Sequence, residues 1–157
     1  MPAAAAAHLA APIGVQVVLT REDGHVLLLL RHNTGFFDQL YSLPGGHLEA
    51  GETFAHTAAR ELREELALCL SPSDFRPLGL CHRLSDTHRI DAFVHAHLPA
   101  HAAPVNAEPH KHAALRWVAP HQLPDNTVPY VREALARYWQ NPHSDGWFFE
   151  TGFSATS

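Results

Sequence analysis

In the segment Gly46 to Leu68 (GHLEAGETFAHTAARELREELAL) three glutamates, Glu61, Glu64 and Glu65, stand at i, i+3 and i+4. On a helix this spacing gathers them on about one-third of the circumference, as neighbours at the surface. The apolar set Ala55, Ala58, Leu62 and Leu66 falls on another face and is expected to enter the core, leaving the three carboxylates exposed. Carboxylates this close resist ionisation unless a cation sits among them. A ligand set made only of oxygen favours a hard cation, Mg²⁺ or Mn²⁺, over zinc. Arg60, at i,i+4 from Glu64, can steady that carboxylate. Just upstream, Leu43-Pro44-Gly45-Gly46 reads as a glycine turn that lets backbone come close to a ligand or metal. Glu52 follows, and Thr53 has the side chain of an N-cap. The hexapeptide Arg60 to Glu65 alone has a plainer reading, a solvated helix face laced with salt bridges.

The elements that must position these residues belong to a small chain. At 157 residues it has the length of one domain and needs no disulfide staples. Hydrophobic residues at 46% and charged residues at 17% are globular proportions. No apolar run approaches the ~18 residues of a membrane helix, so no membrane partner is expected. A net charge of −5 argues against a nucleic-acid polymer as partner. It leaves room for a small phosphorylated ligand, because a metal ion can supply positive charge locally. Cys69 and Cys81 form no C-x-x-C pair and read as the reduced thiols of a cytoplasmic protein. The Ala-rich start lacks the basic n-region of a signal peptide. Residues 1–12 are therefore expected to be a disordered leader, 13–140 the domain and 141–157 a C-terminal tail without a recognisable element.

Patterning predicts strands over Ile13 to Leu19 and Val26 to Arg31, joined at Asp23-Gly24, a strong hairpin signal. An amphipathic helix is expected from Thr53 to about Leu68. Strands follow over Arg76 to Leu84, Arg89 to Leu98 and Ala114 to Val118, then a closing helix over Val131 to Trp139. This order points to an α/β chain with a mixed sheet between helices. Fourteen histidines are many, and His95 and His97 share a strand face. With no cysteine partner and no helical H-x3-H spacing, they read as surface histidines and not as a zinc site. Trp117, Tyr130, Trp139, Trp147, Phe148 and Phe149 are expected to serve packing. Phe36, Phe37 and Tyr41, just before the glycine turn, are better placed to contact a base.

The Gly46 to Leu68 segment resembles the Nudix box of the Nudix hydrolases, G-x5-E-x7-R-E-U-x-E-E-x-G-U with U aliphatic. Gly46, Glu52, Arg60, Glu61, Leu62, Glu64, Glu65 and Leu68 all stand where that pattern places them. Ala67 departs from it, standing where the box has a glycine. Such a glycine caps the helix in the left-handed conformation, so alanine there costs about 1 kcal/mol or shifts the helix end. The stretches Arg31 to Gly35, Leu43 to His47 and Asn106 to Pro109 also look like the MutT-related bacterial branch.

The resemblance implies a single-domain Nudix fold, an α/β/α sandwich, over roughly Ile13 to Trp139. It implies a metal centre at Glu61, Glu64, Glu65 and the Gly45 carbonyl, with Glu108 as a further ligand from outside the box. Arg60 would orient the carboxylates and Glu52 would support them. The catalytic set is then Glu64, Glu61, Arg60 and Glu52, with the general base left open. Arg31, Phe36, Tyr41 and Gly46 are the candidates for binding substrate. The implied activity is Mg²⁺- or Mn²⁺-dependent hydrolysis of a nucleoside diphosphate linked to another group. A nucleoside triphosphate, normal or oxidised, cut to monophosphate and pyrophosphate is the first reading. The second is an ADP-ribose or nucleotide-sugar pyrophosphatase, whose proline marker is replaced here by the Cys81-His82-Arg83 region. A third, of another class, is a catalytically silent nucleotide-binding module. The implied partner is a small nucleotide, and a homodimer is compatible with the resemblance.

Overall fold

The computed structural model describes residues 7–143 and 146–154 of the chain. Residues 1–6 of the expected leader, and 144–145 and 155–157 of the tail, lie outside the described residues. Among the described residues eight strands and two α-helices, with a 3-10 turn at Pro72–Asp74, follow in the order β1 (Ile13–Thr20), β2 (Val26–Arg31), β3 (Tyr41–Ser42), β4 (Gly45–His47), α1 (Phe54–Leu66), β5 (Arg76–Leu84), β6 (His88–His97), β7 (His112–Val118), α2 (Pro129–Gln140) and β8 (Trp147–Thr151). The sheet runs β3-β2-β1-β6-β5-β8, with β4 paired to β1 and β7 to β2. It is mixed, as the element order requires: β1 runs parallel to β6 and antiparallel to β2 and β4.

Strand alternation divides the core into two layers. Val15, Val17, Leu19, Leu27 and Leu29 face α1 and meet its Leu62 and Leu66. Val18, Leu28 and Phe93 face α2 and meet Val131 and Leu135. Helices thus cover both faces of the sheet, the expected sandwich. The Asp23-Gly24 turn closes as the sequence predicts, with Gly24 at φ +83° donating to the Arg21 carbonyl.

Three local expectations change. Gly45 and Gly46 do not form a free turn; they are strand β4, paired to Gln16 and Val15. The aromatic segment after Asn141 carries an element the sequence reading leaves out, β8, which pairs in parallel with β5. It docks where β5 has Gly79, at which a Cβ would lie 2.3 Å from the Trp147 carbonyl oxygen. His95 is buried, not a surface residue: it is 6% exposed and bonds Thr20 Oγ1 at 2.9 Å.

Helix α1 is capped at both ends. Thr53 accepts from His56 N, and the chain leaves the helix through Ala67 at φ 54°, ψ 33°. The Ala67 N–H donates to the Arg63 carbonyl and Leu68 N–H to the Leu62 carbonyl, so the left-handed cap survives without its glycine. Because alanine is strained in that region, Ala67→Gly is expected to stabilise the protein by about 0.5–1 kcal/mol, read as a raised urea midpoint at unchanged m-value.

His95 supplies a second expected result. Its burial, with the charges of His97 and Arg76 adding, pushes the imidazole down to about 4. The unfolded chain therefore takes up this proton first as pH falls below 6.5, and stability is lost down to the folded value. Between pH 7 and pH 5 the loss attributable to His95 is expected to be roughly 2 kcal/mol. Urea unfolding of the parent and of His95→Gln at the two pH values isolates it; equal pH dependence in both contradicts the assignment.

Candidate active site

Helix α1 and strand β4 build the site together. Its centre is Arg60, which lies across the helix surface with every arm occupied. Its Nε donates to Glu52 Oε2 at 2.9 Å and its Nη2 to Glu52 Oε1 at 3.0 Å. Its Nη1 donates to Glu61 Oε1 at 2.8 Å, and Nη2 also donates to the His47 carbonyl at 3.0 Å. Glu64, the partner its i,i+4 spacing suggests, is its weaker contact at 3.4 Å. The guanidinium therefore joins the β4 end, the loop after it and the helix into one charged unit. That hydrogen bonding holds the Glu52 carboxyl down to about 2. Glu52 also accepts from Thr57 Oγ1 at 2.9 Å.

The three helix carboxylates are not equivalent. Glu64 is 52% exposed, but Glu65 is 5% exposed, which corrects the expectation of three exposed neighbours. Two features bury it. β4 lies over it, and Gly45 N–H donates to Glu65 Oε2 at 3.3 Å. The loop before β7 folds across the end of α1, with Val105 N–H on the Leu66 carbonyl and Ala107 N–H on the Glu65 carbonyl. Glu61 sits between Glu65 and Arg60, and its carboxylate fills the space beside Gly46, where a Cβ would lie 2.2 Å from Oε1. Gly46 is therefore required for Glu61 to lie against β4.

Burial first, and the charge of Glu61 second, push the Glu65 carboxyl well above its usual range, with the Gly45 N–H opposing. Burial also pushes Glu61 up, against the pull of Arg60. Glu108 is brought close enough for its charge to act on Glu65, and it pairs with Lys111 at 3.1 Å.

Among the described residues no three Asp, Glu, His or Cys side chains already converge in metal-binding geometry; Glu64, 52% exposed, shares Arg60 Nη1 with Glu61. The donors present nevertheless fit a hard cation. They are all oxygen, and among the described residues Glu65 has no ion-pair partner to neutralise it. Mg²⁺ is commonly held by one or two carboxylates, with water and substrate phosphates completing its shell. Glu61 and Glu65 supply such a pair.

Gly45 and Gly46 also line a cavity of about 420 Å³ on the α2 side of the sheet, within the range of small-molecule sites. Of the residues expected to bind substrate, Arg31, Phe36 and Gly46 line it and Tyr41 does not. Tyr41 is held in β3, where its N–H meets the Asn126 carbonyl and its ring packs against the α2-side core. Arg31 is fixed by the Phe36 carbonyl at 2.7 Å and Thr34 Oγ1 at 3.0 Å. Phe37 also lines the cavity and is tilted against Tyr130 at 6.1 Å.

The sequence reading misses the cavity's polar floor, made by Gln16, Arg83, Asp91 and Tyr130. The signal available for Asp91 was a lone carboxylate at the head of an apolar strand, Ile90 to Ala96. It is 3% exposed and accepts from Arg83 Nε at 2.6 Å and from Gln16 Nε2 at 3.3 Å.

Comparison with known proteins identifies the family and the fold. The family model for the NUDIX domain matches residues 10–138. A MutT NUDIX hydrolase from Burkholderia pseudomallei superposes with a TM-score of 0.73 at 26% identity, covering 82% of this chain and 98% of that one. A MutT protein from Methanosarcina mazei Go1 gives 0.74 at 22% identity, over 87% and 100% of the two chains, a likeness of fold. The m7GpppN-mRNA hydrolase NUDT17 of Xenopus laevis is 36% identical over 69 residues. That match takes in 43% of this chain and 23% of the relative, so the chain spans under a quarter of that protein's length.

Proposed function

The chain belongs to the Nudix family, and on that footing we propose that it is a Mg²⁺- or Mn²⁺-dependent pyrophosphohydrolase acting on a small nucleotide. The reaction is cleavage of a nucleoside triphosphate, normal or oxidised, to the monophosphate and pyrophosphate. One observation carries this reading: Glu65, buried with no ion-pair partner among the described residues, and its neighbour Glu61, paired to Arg60, lie directly beneath Gly45 and Gly46, which line the 420 Å³ cavity. Phosphates at that mouth would come within reach of the helix carboxylates, while a base would extend toward Phe36, Phe37 and Tyr130.

Glu61 and Glu65 would hold the cation, with the Gly45 carbonyl as the backbone ligand and Glu64 or Glu108 completing the set. A divalent ion held there would offset charge on the phosphates and lower the pKa of an attacking water. Arg60 orients Glu61 and locks it to Glu52, so the carboxylate is in place before substrate arrives. Arg31, tied back to its own loop, presents a fixed positive charge to the phosphates. The free thiols Cys69 and Cys81 suit a reducing compartment, and a cytoplasmic location is part of the proposal. Among the described residues no helix is long and apolar enough to cross a membrane.

Turnover of a nucleotide panel, with products separated by ion exchange, tests the reading. The panel holds the canonical and 8-oxo nucleoside triphosphates, ADP-ribose, a nucleotide sugar, a diadenosine polyphosphate and a cap dinucleotide. Metal-dependent release of a nucleoside monophosphate from a triphosphate is the expected result. Preference for ADP-ribose or a sugar conjugate moves the enzyme to the second reading. Silence across the panel, with folded protein and metal, contradicts the proposal and leaves a binding module.

A further inference from the structure

The floor of the cavity is built as a recognition surface. Arg83 is half-buried and its guanidinium lies over the Tyr130 ring, 4.1 Å from the centroid. Its Nε is committed to Asp91, and among the described residues its two terminal amino groups meet no protein acceptor. They remain as a fork of donors, held in place by a carboxylate and an aromatic ring, on the wall of the cavity. Asp91 can accept about four hydrogen bonds and uses two, one to Arg83 and one to Gln16. Gln16 Nε2 is in turn within 3.4 Å of the Tyr130 hydroxyl. Donors and acceptors are thus fixed side by side in one rigid network. The aromatic wall of Phe37 and Tyr130 stands beside it.

The charge balance of this network indicates what it reads. Arg83 is already neutralised by a buried carboxylate 2.6 Å away, so a phosphate on the fork would also meet the charge of Asp91. A neutral group with an acceptor next to a donor meets both partners correctly. Resting on the nucleotide reading above, we propose that Arg83 and Asp91 select lactam bases, in which a ring C=O stands beside a ring N–H. Guanine, hypoxanthine, uracil and thymine carry that edge. Adenine and cytosine carry the reverse, an amino group beside a bare ring nitrogen. Held in the same orientation by phosphates at Gly45 and Gly46, they would set donor against donor and acceptor against acceptor, and only a base turned over in the cavity would escape that mismatch. A site built this way rejects the wrong edge strongly, because its buried groups are left unpaired.

Two measurements on the full chain test this. The first compares kcat/KM for GTP, ITP and UTP with that for ATP and CTP, whose triphosphates are the same. The second titrates GMP and AMP calorimetrically in EDTA, where no turnover or metal enters. A ten- to hundred-fold preference for the lactam bases, on the order of one good bidentate contact, is expected in both. In Arg83→Gln the preference is expected to fall to within about threefold, as that contact is lost. Asp91→Asn, which puts a donor beside the fork, is expected to shift the ratio toward the amino bases. Should that buried substitution unfold the protein, Arg83→Gln and the wild-type titrations decide alone. A wild-type ratio near one, a preference for amino bases, or a ratio unchanged in Arg83→Gln overturns the assignment. GMP preferred over AMP with no nucleotide hydrolysed keeps this inference and removes the pyrophosphohydrolase. Equal hydrolysis of all five triphosphates does the reverse.

Discussion

Glu65→Gln is expected to lower kcat by about a thousandfold or more while leaving the metal-free protein at least as stable as the parent. The loss follows from removing a carboxylate from the pair beneath β4, where charge stabilisation is worth several kcal/mol and each 1.36 kcal/mol is tenfold in rate. The unaltered or raised stability follows from the same geometry. Glu65 is 5% exposed and faces the charge of Glu61 without a cation of its own, so ionising both costs folding energy that an amide does not incur. The amide is nearly isosteric, and its carbonyl can still accept from Gly45 N–H. Gaining about 1 kcal/mol raises Tm by roughly 2–4 °C in a chain this size. Activity and thermal unfolding measured on one preparation separate this from a folding defect. A Glu65→Gln protein that turns over normally removes Glu65 from the metal site, and one that fails to fold contradicts the electrostatic account.

Gly45→Ala is expected to be strongly damaging for so small a substitution. A Cβ at Gly45 would lie 2.0 Å from the Val15 carbonyl oxygen, and the residue sits at φ +152°. The obstruction is backbone in the central strand β1, so neither partner can rotate away. A cost of about 3 kcal/mol or more is expected, a fall in Tm of at least roughly 6 °C. Activity should fall with it, because the displaced strand carries the N–H that holds Glu65. Gly51 is the matched control: its φ is +85°, but a Cβ there meets nothing within 4 Å. Gly51→Ala should cost only about 1 kcal/mol, the price of left-handed backbone alone. Similar losses at both positions would show that the close approach of β4 to β1 does not matter.

The contrast between α1 and the cavity shows which parts of the site were legible in the sequence. Helix α1 is a local object: its apolar period, Thr53 cap and acidic cluster lie within sixteen residues and need no partner to be recognised. The burial of Glu65 depends instead on the loop at Val105 and Ala107 folding back onto the helix end, a contact some forty residues away that leaves no periodic trace. The same holds for the cavity floor. Gly14 faces Asp91 only because β1 and β6 pair in parallel in one register, and Arg83 reaches Asp91 across the β5–β6 hairpin. Each side chain alone reads as an ordinary strand residue. Strand β8 escaped because its aromatic run at Trp147 to Phe149 has no polar alternation, and it is fixed by fitting against Gly79. Ala67 shows the converse: a departure from the box pattern that left the cap geometry intact.

The measurement that bears most directly on the central claim is a Mn²⁺ titration followed by electron paramagnetic resonance of the free ion. It is made on the parent, Glu65→Gln and Glu61→Gln without nucleotide, and then with a non-hydrolysable triphosphate analogue. The account predicts saturable binding by the parent, tightened by the analogue, and at least about tenfold weaker binding in each variant as one of two protein carboxylates is lost. Binding by the parent that is absent in both conditions, or affinity unchanged in both variants, would contradict a metal site at Glu61 and Glu65.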